Sequence, residues 1–128
     1  MKTRYTVVLS MIAGAALGGA AIQGLHAQGK PKAYLVTETE VLDRAVLENT
    51  YFPQVREAAK AAGGNIEFIP PGEKIVAVVG DAPKRVGVSE WDSMEKAQAW
   101  IKSPERQALG PQRDKAQKVT RQYIVEGK

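Results

Sequence analysis

Arg85–Glu105 reads RVGVSEWDSMEKAQAWIKSPE, and its change of period decides the fold. The first seven residues are rich in β-branched and aromatic types, the composition of a strand. After Asp92-Ser93 the spacing changes. Met94, Ala97, Trp100 and Ile101 recur at helical intervals and form one apolar stripe. Asp92 or Ser93 serves as the N-cap, and Glu95 stands three residues after Asp92, the spacing of a capping box. Ser103-Pro104-Glu105 restarts a helical turn, with proline in its favoured first position. A strand therefore runs straight into a helix.

Working toward the N-terminus, Gly80-Asp81-Ala82-Pro83 has turn chemistry. Asn65–Ile69 predicts a strand, Pro70-Pro71-Gly72-Glu73 a turn or bulge, and Lys74–Val79 (KIVAVV) further strand, so the whole stretch reads as an antiparallel hairpin. Before it, Leu47, Tyr51, Val55, Ala58 and Ala62 keep helical spacing from an N-cap at Asp43 to Gly63-Gly64. Gly63 suits the left-handed residue that ends a helix. Pro53 lacks an N–H inside this helix, which predicts a kink or break near Asn49–Thr50. Ala33–Val41 (AYLVTETEV) is the first strand. Tyr34, Val36, Glu38 and Glu40 share one of its faces, and Ala33, Leu35, Thr37, Thr39 and Val41 share the other. Toward the C-terminus, Gly110-Pro111 breaks the helical run and Lys118–Glu126 (KVTRQYIVE) is the last strand. The order is βαββαβ. With right-handed crossovers it gives an α+β, ferredoxin-like sandwich: a four-stranded antiparallel sheet with two helices on one face. Ile75, Val76, Val78 and Val79, with Ile124 and Val125, place apolar side chains on both faces of the sheet. The simplest way to cover the second face is another copy packed sheet to sheet, a two-fold homodimer; the alternative is a monomer with ordinary apolar surface residues.

The chain has 128 residues, 44% of apolar type and 25% charged, which suits a single globular domain. Residues 1–27 read as a cleaved signal peptide. Lys2 and Arg4 form the basic start, Val7–Ile22 carry no charge, and Leu25-His26-Ala27 ends on a small residue. The Gly14-to-Gly18 spacing also fits a helix-pairing pattern of a retained anchor, but the run is short and glycine-rich for a span. The expected location is periplasmic or secreted, with no membrane attachment after cleavage. Residues 28–32 are a short tether and residues 33–128 the domain. Lys2 and Arg4 are the only charges before Lys30, so removing the leader lowers the net charge from +4 to +2. That is too small to imply a nucleic-acid partner. The basic residues Arg113, Lys115, Lys118 and Arg121 read as a solvated helix face.

The chain from Lys32 to Gly127 resembles the domain-of-unknown-function family thirteen-thirty, of the dimeric α/β-barrel superfamily. The residues that carry the likeness are AYLVTETEV, Tyr51 and Pro53 in a helix ending Ala62-Gly63-Gly64, VGVSEWDSMEKAQAWIKSPE at Val86–Glu105, and the closing Val125-Glu126-Gly127. Where this chain has Arg106, the family more often has an aromatic residue. The resemblance implies the fold and a dimer; it implies no activity.

The sequence has no cysteine, and its one histidine, His26, lies in the leader. Thiolate and imidazole metal sites, disulfides and serine–histidine or cysteine–histidine nucleophiles are thereby excluded from the domain, and no cofactor is implied. Glu38 and Glu40 share a strand face that suits either a hard cation or, more commonly, solvent. In relatives of this fold, small ligands sit between sheet and helices, so Tyr51, Trp100 and Glu90 are the candidate lining residues of a pocket for a small organic molecule. Each has an ordinary alternative: Trp100 and Tyr51 as core packing, Glu90 at a strand end or beside a basic partner. Glu90 next to aromatic rings would have a raised pKa and act as a general base of a cofactor-free monooxygenase or isomerase. Arg85 or Arg121 would neutralise an anionic substrate or enolate, and Tyr51 would steady the oxyanion. The remaining reading is a structural or interaction dimer whose cleft its own side chains fill.

Overall fold

Alternation in the first strand becomes burial in the computed structural model, which describes residues 29–128. The chain divides after Lys30, and the unit Pro31–Lys128 carries the fold. The signal peptide expected over residues 1–27 lies outside the described residues. Strand β1 is Ala33–Val41. Helix α1 follows over residues 44–61, then β2 (Gly64–Gly72) and β3 (Arg85–Trp91). Helices α2 (Met94–Lys102), α3 (Pro104–Ala108) and α4 (Gly110–Ala116) lead into β4 (Gln117–Glu126). The sheet order is β2-β3-β1-β4, all neighbours antiparallel. That is the ferredoxin-like arrangement the element order predicts. Among the described residues no helix is long and apolar enough to cross a membrane.

Two core clusters lie between sheet and helices. Ala33, Leu35 and Trp91 of the sheet pack against Ala59, Ala97 and Trp100 of the helices. The two indoles stack with centroids 5.5 Å apart, and Trp91 Nε1 donates to Ser89 Oγ at 2.9 Å, so the buried N–H is satisfied. The second cluster joins Leu47 and Tyr51 of α1 to Ala116 of α4. Full burial of Leu47 contributes about 1.5–3 kcal/mol. The backbone carbonyl of Ala116 accepts from both Leu42 and Asp43, which ties the end of α4 to the start of α1.

Several local expectations resolve differently from the sequence reading. The distortion expected near Asn49–Thr50 is present, as a π-turn and not as a break at Pro53. The helix widens into a π-turn over Leu47–Tyr51, where the Phe52 N–H bonds to the Leu47 carbonyl, and Pro53 falls in the first turn of the following segment, Phe52–Ala61. Pro53 has no N–H to give to the carbonyls of the preceding turn, and the wider π spacing accommodates that loss without ending the helix. Asp43 caps α1 through the Val46 N–H as predicted, and Gly63 ends it with φ +90°. Of the two candidate caps of α2, Ser93 does the work, accepting from the Lys96 N–H; the Asp92–Glu95 capping box is not the one used. Ser103 caps α3 as well as closing α2.

The strand expected at Lys74–Val79 does not form. Residues 73–84 are irregular, with Val76, Val78 and Val79 at 83, 93 and 93% exposure. The reason is pairing. β2 already meets β3 at Gly72 opposite Val86, and β3 begins at Arg85. Further strand would need a partner before Arg85, where Pro83 has no N–H to give. Those valines therefore say nothing about the faces of the sheet. The basic run is also not one helix face: Arg113 and Lys115 are in α4, whereas Lys118 and Arg121 are in β4.

Candidate functional site

The parity of β4 sets the site. In a regular strand Gln117, Val119, Arg121 and Tyr123 would share a face. A bulge intervenes: Glu38 pairs with Arg121, but the next residue, Thr39, pairs with Val119, leaving Thr120 extra. Gln117 and Val119 then face the helices together with Gln122 and Ile124, while Arg121, Tyr123 and Val125 face away. Thr37 and Thr39 of β1 and Arg85, Gly87 and Ser89 of β3 complete the inner wall. Tyr51 and Phe52, which stand at the end of the π-turn, supply part of the roof with Val55. Trp100 of α2, Arg106 of α3 and Arg113 of α4 supply the rest.

These residues enclose a half-open cleft of about 90 Å³ between sheet and helices. Its apolar lining includes Leu35, Phe52, Val55, Ile66, Pro71 and Trp100. Its polar lining holds three guanidiniums and no carboxylate. Arg85 Nη1 donates to Gln117 Oε1 at 3.4 Å, and its guanidinium stands 5.9 Å from the Phe52 ring centroid. Arg106 Nη2 donates to Gln122 Oε1 at 3.1 Å, and Gln122 Nε2 passes the chain on to Thr37 Oγ1 at 3.0 Å. Among the described residues neither Arg85 nor Arg106 has a carboxylate within ion-pair distance, whereas Arg113 Nε reaches Asp114 at 3.3 Å. Burial lowers Arg106 from its ordinary pKa, and the Arg113 charge beside it acts in the same direction; burial also lowers Arg85, with Glu73 opposing. Both remain cations at neutral pH. Burial raises the Tyr51 hydroxyl, with Arg113 and Arg106 pulling it back, so it is a neutral donor.

Of the five sequence-predicted site residues, the fold gathers Tyr51, Arg85 and Trp100 into this cleft. Glu90 and Arg121 are not there. Glu90 alternates to the far face of the sheet, where Lys32 Nζ lies 3.2 Å from its carboxylate. Arg121 lies on the same far face, its Nε 2.8 Å from Glu38, which holds the guanidinium above its ordinary pKa. A base at Glu90 cannot meet a ligand beside Trp100, because the sheet stands between them. The carboxylates of Glu38 and Glu40, on their shared strand face, pair with Arg121 and Lys84 respectively. Among the described residues no three His, Cys, Asp or Glu side chains are grouped to hold a metal. Sequence reading missed Arg106, Arg113, Gln117 and Gln122. The aromatic-to-arginine departure at Arg106 was the one visible signal; the others depend on the bulge and on α4.

A family model described as a domain of unknown function (DUF1330) matches residues 32–128. No curated protein matches the chain. Among solved structures, a protein of unknown function from Rhodopseudomonas palustris is similar at 14% identity, over 77% of this chain and 84% of that one, with a TM-score of 0.59. Its methylated form gives 13% identity, 77% and 82% coverage, and a TM-score of 0.57. A dimeric protein of unknown function and ferredoxin-like fold from Bacteroides fragilis shares 16% identity over 74% of this chain and 95% of that one, at a TM-score of 0.39. At these identities the likeness is one of fold.

Proposed function

From the premise that this chain belongs to the DUF1330 family of unknown function, we propose that it is an exported homodimer that holds a small organic molecule between sheet and helices. The observation that carries the reading is the cleft itself: an apolar slot flanked by Trp100, Phe52 and Val55, into which Tyr51, Arg85 and Arg106 converge. Such a combination of apolar walls and a few aimed polar groups is the usual form of a ligand site. The cleft is small beside drug-sized sites, which run to about 300–1,000 Å³, so its occupant is small or extends outward. The reading as a Glu90-dependent monooxygenase or isomerase finds no support, since no carboxylate lines the cleft.

The far face of the sheet supports the dimer. The Phe68 ring packs in a tilted arrangement on Tyr34, centroids 5.2 Å apart, and Ile69, Tyr123 and Val125 are exposed on that side. Its charges are already paired within the chain, Glu38 with Arg121 and Glu90 with Lys32, so a second identical face would meet apolar surface without net repulsion. Export rests on the basic and then apolar leader, and N-terminal sequencing of protein from the cell envelope checks it: a start near Gln28 is expected, and a start at Met1 refutes it.

The ligand reading is tested by native mass spectrometry of protein from its own envelope, beside a Val119→Trp variant that fills the cleft. Retained small-molecule mass in the wild type, lost in a variant with an unchanged circular dichroism spectrum, is the expected result. Equal masses of the bare chain in both would favour the structural dimer instead.

A further inference from the structure

Resting on that reading of the cleft, we infer that its ligand is a small organic carboxylate, with the anionic group between Arg106 and Arg113 and the apolar body directed onto Trp100 and Phe52. The observation behind this is a second, wider hollow of about 540 Å³ outside the first. Both spaces share Arg106, Arg113, Gln117, Val119 and Gln122. These five residues form a neck. On its inner side the lining is largely apolar and contains no carboxylate; on its outer side are Leu42, Asp114 and Lys118.

Buried cations without a counter-charge are costly, and a chain that keeps them usually has something anionic to bring there. Arg106 is half-buried, spends two of its donors on the Ile101 carbonyl and Gln122, and has no carboxylate partner among the described residues. Arg113 is only partly neutralised, through one nitrogen, by an Asp114 that lies mostly in solvent. The planar fork of a guanidinium matches a carboxylate with two parallel hydrogen bonds. Tyr51, whose ring roofs the same space, adds a neutral hydroxyl. One negative charge suffices here, because Asp114 already offsets part of the positive charge at the neck. A ring or short chain of the size the inner cleft admits then lies against the indole and phenyl groups.

Matched probes test this. Benzoate and hexanoate are compared by isothermal titration with benzamide and hexanamide, which keep the shape and lose the charge, and with inorganic phosphate. Charge-assisted hydrogen bonds predict that each acid binds at least tenfold tighter than its amide. Arg106→Gln and Arg113→Gln are expected to bring that ratio to within about twofold, while Arg121→Gln, on the far face, leaves it unchanged. Amides that bind as well as acids, an unchanged ratio in both neck variants, or phosphate that competes as well as benzoate would each overturn the carboxylate assignment and leave the cleft reading standing. If no probe binds the wild type at millimolar concentration, the cleft reading fails as well.

Discussion

Replacing Gly64 by alanine tests the packing on which the inner face depends. Gly64 opens β2 directly opposite Trp91, and a methyl group there would lie 2.5 and 2.6 Å from ring atoms Cζ2 and Cζ3. An ordinary carbon–carbon contact needs about 3.5–4.0 Å, so the indole must give way by roughly 1 Å. It has nowhere to go. The ring is 1% exposed, stacked on Trp100 and held by Ser89 Oγ. Overpacking of this kind costs about 1–3 kcal/mol, against which loss of glycine's freedom in the unfolded chain returns about 0.4–1 kcal/mol, since φ at Gly64 is not positive. A net loss of about 1–2 kcal/mol is expected. For a domain of this size that lowers Tm by about 4–8 °C for each kcal/mol. Urea unfolding followed by tryptophan fluorescence measures it directly. Gly72→Ala is the control, because its methyl meets nothing closer than the Pro70 carbonyl at 4.0 Å. A Gly64→Ala stability within 0.5 kcal/mol of wild type would refute the packing argument.

Ser89→Ala leaves the buried Trp91 N–H without its acceptor and should cost about 1–3 kcal/mol in the same assay; a loss under 0.5 kcal/mol would show that another acceptor takes over. The raised pKa of the Tyr51 hydroxyl means that the folded state holds this proton more tightly than the unfolded chain, so its contribution is present below about pH 10 and lost as pH climbs through the higher folded value. Above about pH 10 the wild type should therefore lose Tm more steeply than Tyr51→Phe, and parallel profiles would contradict the burial. Changing Val76, Val78 and Val79 together to serine should alter stability by no more than about 0.5 kcal/mol per site, since all three are solvent-exposed; a larger loss would mean that residues 73–84 pack on something. Tyr123→Asp with Val125→Asp places charge on the bare face of the sheet. Light scattering should then show a wild-type dimer and a monomeric variant, and a wild-type mass of one chain would remove the dimer.

What the sequence determined by itself was local. Alternation in AYLVTETEV, the change of period after Trp91, and the caps Asp43 and Gly63 each depend on a few adjacent residues, and their order leaves one economical topology. Tyr51 and Trp100 were legible as inward-facing for the same reason. The failures came where pairing with distant residues decides. KIVAVV has the composition of a strand and no strand to pair with, because β2 and β3 use up their registers between Gly64 and Gly72. Glu90 alternates with Ser89 along its strand, and only the packing of the helices against the Ser89 side decides that Glu90 points away from the cleft.

The chemistry of the cleft was decided only by tertiary structure. One extra residue at Thr120 reverses the parity of β4, turning Arg121 outward and both Gln117 and Gln122 inward. Two short helices then bring Arg106 and Arg113 over the same space. A bulge is a property of two strands in register, and a guanidinium's neighbours are a property of the packed layers; neither is written in the residues beside it.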